Sequence, residues 1–219
     1  MDNNWNLSGL LIEGISGTGK TALLESLVRS KRFVEKSYLS SIVLSEHQTQ
    51  RVLEKKSREE GLDVSDNLRL LDNHTSYLEN VNRPLEEMDW CRNNQINMRI
   101  PYILERFHLT HVYQYEHMNW HDVSAIDSHL KKLNCKLCLL ITGPEELGKR
   151  LFTGRDAQWM NYIQRFGRTN NEILEHFIQQ QENLIGLSEV SNLETIIIDT
   201  GVTDFKATLK ETLDFWGAI

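Results

Sequence analysis

The stretch that most constrains this chain is Gly14-Ile15-Ser16-Gly17-Thr18-Gly19-Lys20-Thr21, which satisfies the phosphate-binding pattern G-x-x-x-x-G-K-[ST] at every fixed position. Gly14, Gly17 and Gly19 let the backbone curl until successive N–H groups, together with those of Ser16 and Thr18, face inward as a nest for phosphate oxygens. Lys20 supplies a mobile positive charge for the terminal phosphates, and the Thr21 hydroxyl is a candidate Mg²⁺ ligand. The flanks agree with the pattern. Leu10-Leu11-Ile12 is a continuous apolar run, the mark of a buried strand. Ala22, Leu23, Leu24, Leu27 and Val28 recur at helical spacing, so a helix N-terminus lies beneath the phosphates. Strand, loop and helix in that order predict a site for a nucleoside triphosphate.

The rest of the chain bounds the context. Its 219 residues, 40% of them apolar, suit one domain with room for a helical insertion. A formal net charge of −7 leaves no broad basic footprint, so nucleic acid is not an expected partner. No apolar run approaches the ~20 residues of a membrane helix, and Met1 to Gly9 lacks the basic and apolar parts of a signal peptide. Three cysteines form no disulfide framework, so reduced thiols in a cytoplasmic protein are expected.

Further strand-like runs deliver polar residues at their ends. Ser41 to Ser45 ends at Glu46, a carboxylate that could take a proton from a hydroxyl, help hold Mg²⁺, or simply favour a helix first turn. Pro101 to Leu104 ends at Glu105 and Arg106, the first read as a second Mg²⁺ contact and the second as a stabiliser of the moving phosphoryl charge. Cys135 to Ile141 is a fourth strand. In it Cys135 and Cys138 point to opposite faces and form no metal pair. Thr195 to Ile198 is a fifth, ending in Asp199-Thr200-Gly201 where a nucleotide base could lie. His117 and His121 sit four apart without an evident third ligand.

Between the strands, residues 48–97 read as helical, broken at 61–66 and at Pro84. Lys55, Lys56 and Arg58 read as a solvated face. Arg83 and Arg92 could reach an acceptor phosphate, but nothing in the spacing selects either, and surface placement is the favoured reading. A helix opens at Pro144, carries Lys149 and Arg150 in its last turn and stops at Gly154. Arg150 and Arg155 are thus placed at a mobile tip able to close over a triphosphate, with Arg165 and Arg168 beyond. Ile173 to Ile185 mark a long amphipathic helix; Phe205, Leu209, Leu213 and Trp216 mark the apolar face of a last one.

In motif order the chain resembles the thymidylate kinase and deoxynucleoside kinase group of P-loop phosphotransferases. Ile12-Glu13-Gly14 is similar to that group's approach to the loop. Glu46 resembles the acid placed after the second strand, a general base in the nucleoside kinases. Glu105-Arg106-Phe107 resembles the Asp-Arg-Tyr or Glu-Arg-Ser signature, and Thr110 with Tyr113-Gln114 resembles the thymidylate kinase sequence beyond it. Pro144 to Arg155 resembles the approach to an arginine-bearing lid. His47 stands where the group has proline, and Phe107 is neither Tyr nor Ser.

The resemblance implies a three-layer α/β fold with a five-stranded parallel sheet in the order 2-3-1-4-5, spanning 1–219 as one P-loop kinase-like domain. Residues 48–97 would form the acceptor side and 149–168 a lid-like region. It implies transfer of the ATP terminal phosphoryl group to a small-molecule acceptor, a nucleoside or nucleoside monophosphate, and a homodimer. A P-loop kinase for another small molecule and a catalytically weak, regulatory ATP-binding protein are the alternatives. No Asn-Lys-x-Asp guanine-reading pattern is present, which argues against a switch GTPase.

Overall fold

The computed structural model of the chain describes residues 7–36, 40–87 and 100–217. Its five strands are β1 (Leu7–Glu13), β2 (Ile42–Leu44), β3 (Ile100–Glu105), β4 (Cys135–Ile141) and β5 (Glu194–Asp199). They pair in parallel in the order β2-β3-β1-β4-β5, as expected. Every residue of β1 is buried, because helices cover both faces of the sheet and leave the central strand no polar side.

Alternation along the strands sorts side chains into two cores. Leu7, Leu11, Tyr102, Leu104, Leu137 and Leu139 face one layer. That layer is built from α5 (Val64–Glu87), α6 (His108–Gln114), α7 (Trp120–Lys132), α8 (Pro144–Phe152) and α10 (Asn170–Val190). Leu10, Ile12, Ile103, Leu140 and Ile198 face the other, against α1 (Lys20–Arg29) and α11 (Phe205–Trp216). Each of these fully buried side chains contributes about 1.5–3 kcal/mol. Cys135 and Cys138 fall in opposite cores, as strand geometry demands, and burial pushes both thiols up to about 12. The remaining short helices are α2 (Lys31–Lys36), α3 (Glu46–Thr49), α4 (Glu54–Glu59) and α9 (Ala157–Ile163).

Local signals explain the helix starts. Asn119 with Asp122 and Thr169 with Glu172 make capping boxes, and Pro144 occupies the first turn of α8. Two expectations need correction, and one helix was not foreseen. The helix α5 runs through Pro84 to Glu87, since one proline removes a single ladder bond near a helix end and need not end the helix there. Phe205 is 46% exposed at the N-terminus of α11, one turn before the face formed by Leu209, Leu213 and Trp216 meets the sheet. An extra helix, α2, intervenes before β2 and inserts Phe33 beside Trp216, with ring centroids 6.1 Å apart. Arg92 lies outside the described residues. No helix among the described residues is long and apolar enough to cross a membrane.

Candidate functional site

The loop between β1 and α1 has the geometry its glycines require. Gly14 has φ 145°, and a Cβ there would meet the Leu140 carbonyl oxygen at 2.6 Å and Thr18 Oγ1 at 2.7 Å. Gly17 and Gly19 both sit at φ 90°, turning the chain so that α1 starts at Lys20. Thr18 Oγ1 donates to Ile15 O at 2.9 Å, bracing the curl. Lys20 is 5% exposed, and its Nζ donates to Ile15 O at 2.7 Å. Burial, aided by the Arg106 guanidinium, lowers its ammonium to about 7 against the opposing pull of Glu105, Glu46 and Glu13.

The parallel sheet delivers its acids to the same end, because all its strands run one way. Glu105 ends β3 directly beside Ile12 of β1. Its Oε1 lies 3.4 Å from Thr21 Oγ1, and its Oε2 accepts from the Glu46 backbone N–H at 3.3 Å. Thr21 and Glu105 thus present a hydroxyl and a carboxylate together, the hard oxygen donors Mg²⁺ takes. Glu46 starts the one-turn helix α3, so it occupies a helix first turn and the carboxyl end of β2 at once. Its Oε2 lies 2.9 Å from Arg106 Nε, an ion contact without hydrogen-bond alignment, and its Oε1 lies 3.5 Å from Arg51 Nη1.

Arg106 is 7% exposed and faces three ways. Besides Glu46, it donates from Nη1 to the Tyr113 hydroxyl at 3.0 Å and from Nη2 to Ser16 Oγ of the loop at 3.2 Å. Burial works against its charge, but Tyr113, Glu46 and Glu13 outweigh it and raise the guanidinium above its ordinary value.

On the donor side, Arg150 lies against the loop rather than at a free tip. It donates to Gly17 O at 3.3 Å, to Thr200 Oγ1 at 2.9 Å and to Thr200 O at 2.7 Å, while Glu146 holds its Nε at 2.9 Å. The helical period of α8 turns it inward, and Thr200, which also donates to Thr18 O at 3.1 Å, ties the end of β5 to the loop. Arg155 is placed differently. Its Nε donates to Arg150 O at 2.6 Å and its guanidinium stacks 4.9 Å from the Trp159 ring, at the C-terminal end of α8. Arg165 stacks on Tyr162 at 4.4 Å, and Arg83 bonds Asn80 on the exposed side of α5. Lys56 is drawn from the solvated face to the buried Asp66 at 2.6 Å.

Two groups escaped the sequence reading. Glu13, quoted only as part of a motif, is fully buried. It accepts from Phe107 N at 2.8 Å, Thr110 N at 3.3 Å and the Thr110 hydroxyl. Its signal was a carboxylate at the end of an apolar strand, where only a partnered one survives. Arg51, which contacts Glu46 and donates from Nε to Glu54 at 2.8 Å, gave no signal beyond its charge. His117 precedes α7 and bonds Asn67, whereas His121 is exposed within it, so the two share no helical face. No cluster of three His, Cys, Asp or Glu side chains able to hold a metal occurs among the described residues.

No family model and no curated protein matches the sequence. Solved structures do. The chain is similar to YorR from Bacillus subtilis, solved with phosphorylated GDP, at 15% identity and TM-score 0.55 over 94% of each chain. It is similar to shikimate kinase from Bacteroides thetaiotaomicron at 13% identity and TM-score 0.54, over 96% of this chain and 98% of that one. An unliganded sugar kinase from Janibacter sp. HTCC2649 aligns at 12% identity and TM-score 0.51, over 97% and 95%. The fold is that of the P-loop kinases.

Proposed function

We propose that this protein is an ATP-dependent phosphotransferase whose acceptor is a nucleoside or nucleoside monophosphate. The observation that carries the reading is the meeting of Glu46, Glu105 and Arg106 at the carboxyl ends of β2 and β3, against the phosphate loop. A loop that only bound nucleotide would need neither Glu46 nor Arg106.

In this reading the backbone amides of residues 15–21 hold the phosphates. Lys20, near 7 in the protein itself, takes up its proton fully once a polyanion lies against it. Thr21 and Glu105 would hold Mg²⁺, which neutralises charge on the phosphate oxygens when bound. The acceptor oxygen forms its bond to the terminal phosphorus as the bond to the ADP oxygen breaks. When the acceptor is a hydroxyl, Glu46 takes the released proton; when it is a phosphate, no base is needed and Glu46 orients substrate. Arg106 bridges both sides through Ser16 and Glu46 and stabilises the charge in transit. Arg150 adds positive charge beside Gly17, and Arg155 joins it if residues 149–168 move as a lid. Contacts of this kind are each worth about 3 kcal/mol in the transition state.

The named activities of the neighbours include a sugar kinase and a shikimate kinase. A kinase for another small molecule, sharing the donor loop and differing across residues 48–97, is therefore the rival reading. The test is a Mg²⁺-dependent transfer assay with ATP and a panel of nucleosides and nucleoside monophosphates, with Lys20→Ala as the blank. Transfer to a panel member, lost in the blank, supports the assignment. ATP binding without transfer to any member overturns it.

A further inference from the structure

A chain of hydrogen bonds that the proposed chemistry does not use ends on the same acids. His117 Nε2 lies 2.9 Å from Asn67 Oδ1, and Asn67 Nδ2 lies 2.9 Å from His111 Nδ1. His111 Nε2 lies 2.8 Å from Thr49 O, and Thr49 Oγ1 donates to Glu105 O. Chemistry fixes the direction of every link. A carbonyl oxygen only accepts, so His111 carries its proton on Nε2 and its Nδ1 must accept from the Asn67 amide. The Asn67 oxygen then faces His117, which donates. The chain crosses from the turn before α7 to α5, α6, α3 and the end of β3. Asn67, His111 and Thr49 are each 0% exposed.

Its mechanical effect falls on α3. One helical turn is too short to hold itself, and its last carbonyls have no partner within it. His111 supplies that partner at Thr49 O, while the Thr49 hydroxyl fastens the same turn to Glu105 O. Glu46 lies at the other end of this single turn, and its N–H meets the Glu105 carboxylate. We infer that His111 is a positioning residue, whose Nε2–H clamps α3 so that Glu46 stays aimed at Arg106 and the phosphate loop. The inference rests on the proposed role of Glu46.

The test compares His111→Ala, His111→Gln and His111→Phe, the last keeping a ring beside Tyr115 but no donor for Thr49 O. The glutamine amide places a donor where Nε2 stands and an acceptor towards Asn67. His111→Ala is expected to lower kcat about 10- to 100-fold, the cost of a misaimed group, with KM for ATP within about twofold. His111→Gln recovers activity to within about threefold of the parent, and His111→Phe, which keeps the ring and loses the donor, falls about tenfold and serves where His111→Ala fails to fold. Hydrogen exchange is followed in parallel. Residues 45–53 should exchange about tenfold faster in His111→Ala and at the parental rate in His111→Gln, with residues 14–29 unchanged. Parental kcat in folded His111→Ala or His111→Phe, or equal exchange over 45–53, overturns the inference. If even the parent transfers no phosphate, the functional proposal fails and the exchange data alone decide the clamp.

Discussion

Glu13 is expected to be a costly carboxylate to remove from this fold. Its side chain leaves β1 and caps α6, whose N-cap residue, Phe107, has no oxygen with which to do so. Truncation in Glu13→Ala strands two backbone N–H groups and the Thr110 hydroxyl in a dry interior. A buried donor left without its acceptor costs about 1–3 kcal/mol, and the three share one carboxylate and do not add fully. A net loss of about 3–5 kcal/mol follows. Glu13→Gln keeps an oxygen for Phe107 N and turns an amide N–H towards Thr110 Oγ1, which can accept, so its loss is about 1–2 kcal/mol. The assay is urea unfolding by far-ultraviolet circular dichroism. With a slope of about 2 kcal/mol per molar urea, the midpoint falls by about 1.5–2.5 M for alanine and about 0.5–1 M for glutamine. A shift below about 0.3 M for alanine would mean that the cap carries no weight. Equal shifts for both variants would mean that charge, not acceptor geometry, dominates, and either result refutes the reasoning.

Glu46→Gln should lower transfer to a nucleoside hydroxyl about 10²–10⁴-fold while ATP affinity, read by a fluorescent analogue, stays within about twofold. Lys20 has its folded value depressed to about 7 from 10.5, so its contribution to stability is complete only above 10.5 and is lost as pH falls through 7. The nucleotide-free protein should therefore melt higher at pH 9 than at pH 7, and Lys20→Met, followed by calorimetry, should flatten that rise and raise the melting temperature at pH 7. Burial likewise lowers His111 to about 4 from 6.5. Its stabilisation is complete above 6.5 and disappears as pH falls through 4, an expected loss of about 3 kcal/mol across that window that His111→Gln should abolish.

The sequence made legible what is local. A glycine pattern between an apolar run and a helical period located the phosphate loop, and apolar runs located all five strands, most sharply the buried β1, β3 and β4. The acids at strand ends followed from the same runs. What escaped is tertiary. Glu13 caps a helix 94 residues away, and no spacing rule connects the two. The clamp joins Thr49, Asn67, His111 and His117 across four separate segments, each unremarkable alone. Arg150 fits the helix macrodipole as well as it fits the loop, so composition could not show that it lies against Gly17.

Arg106 shows why the site's strain and its chemistry belong together. It is one of two described non-glycine residues with positive φ, at 52°, a conformation costing about 1–3 kcal/mol that persists only where its surroundings enforce it. They do so on both sides: its own N–H continues the β1–β3 ladder by donating to Ile12 O at 3.1 Å, and the next N–H, of Phe107, is taken by Glu13. A relaxed extended residue would carry the side chain onward with the strand. The left-handed turn instead swings the guanidinium back, so that Ser16 of the loop and Glu46 of the acceptor side meet on one planar cation. On the proposed reading, Glu13 serves phosphoryl transfer without touching substrate: the carboxylate that caps α6 also holds the turn that aims Arg106.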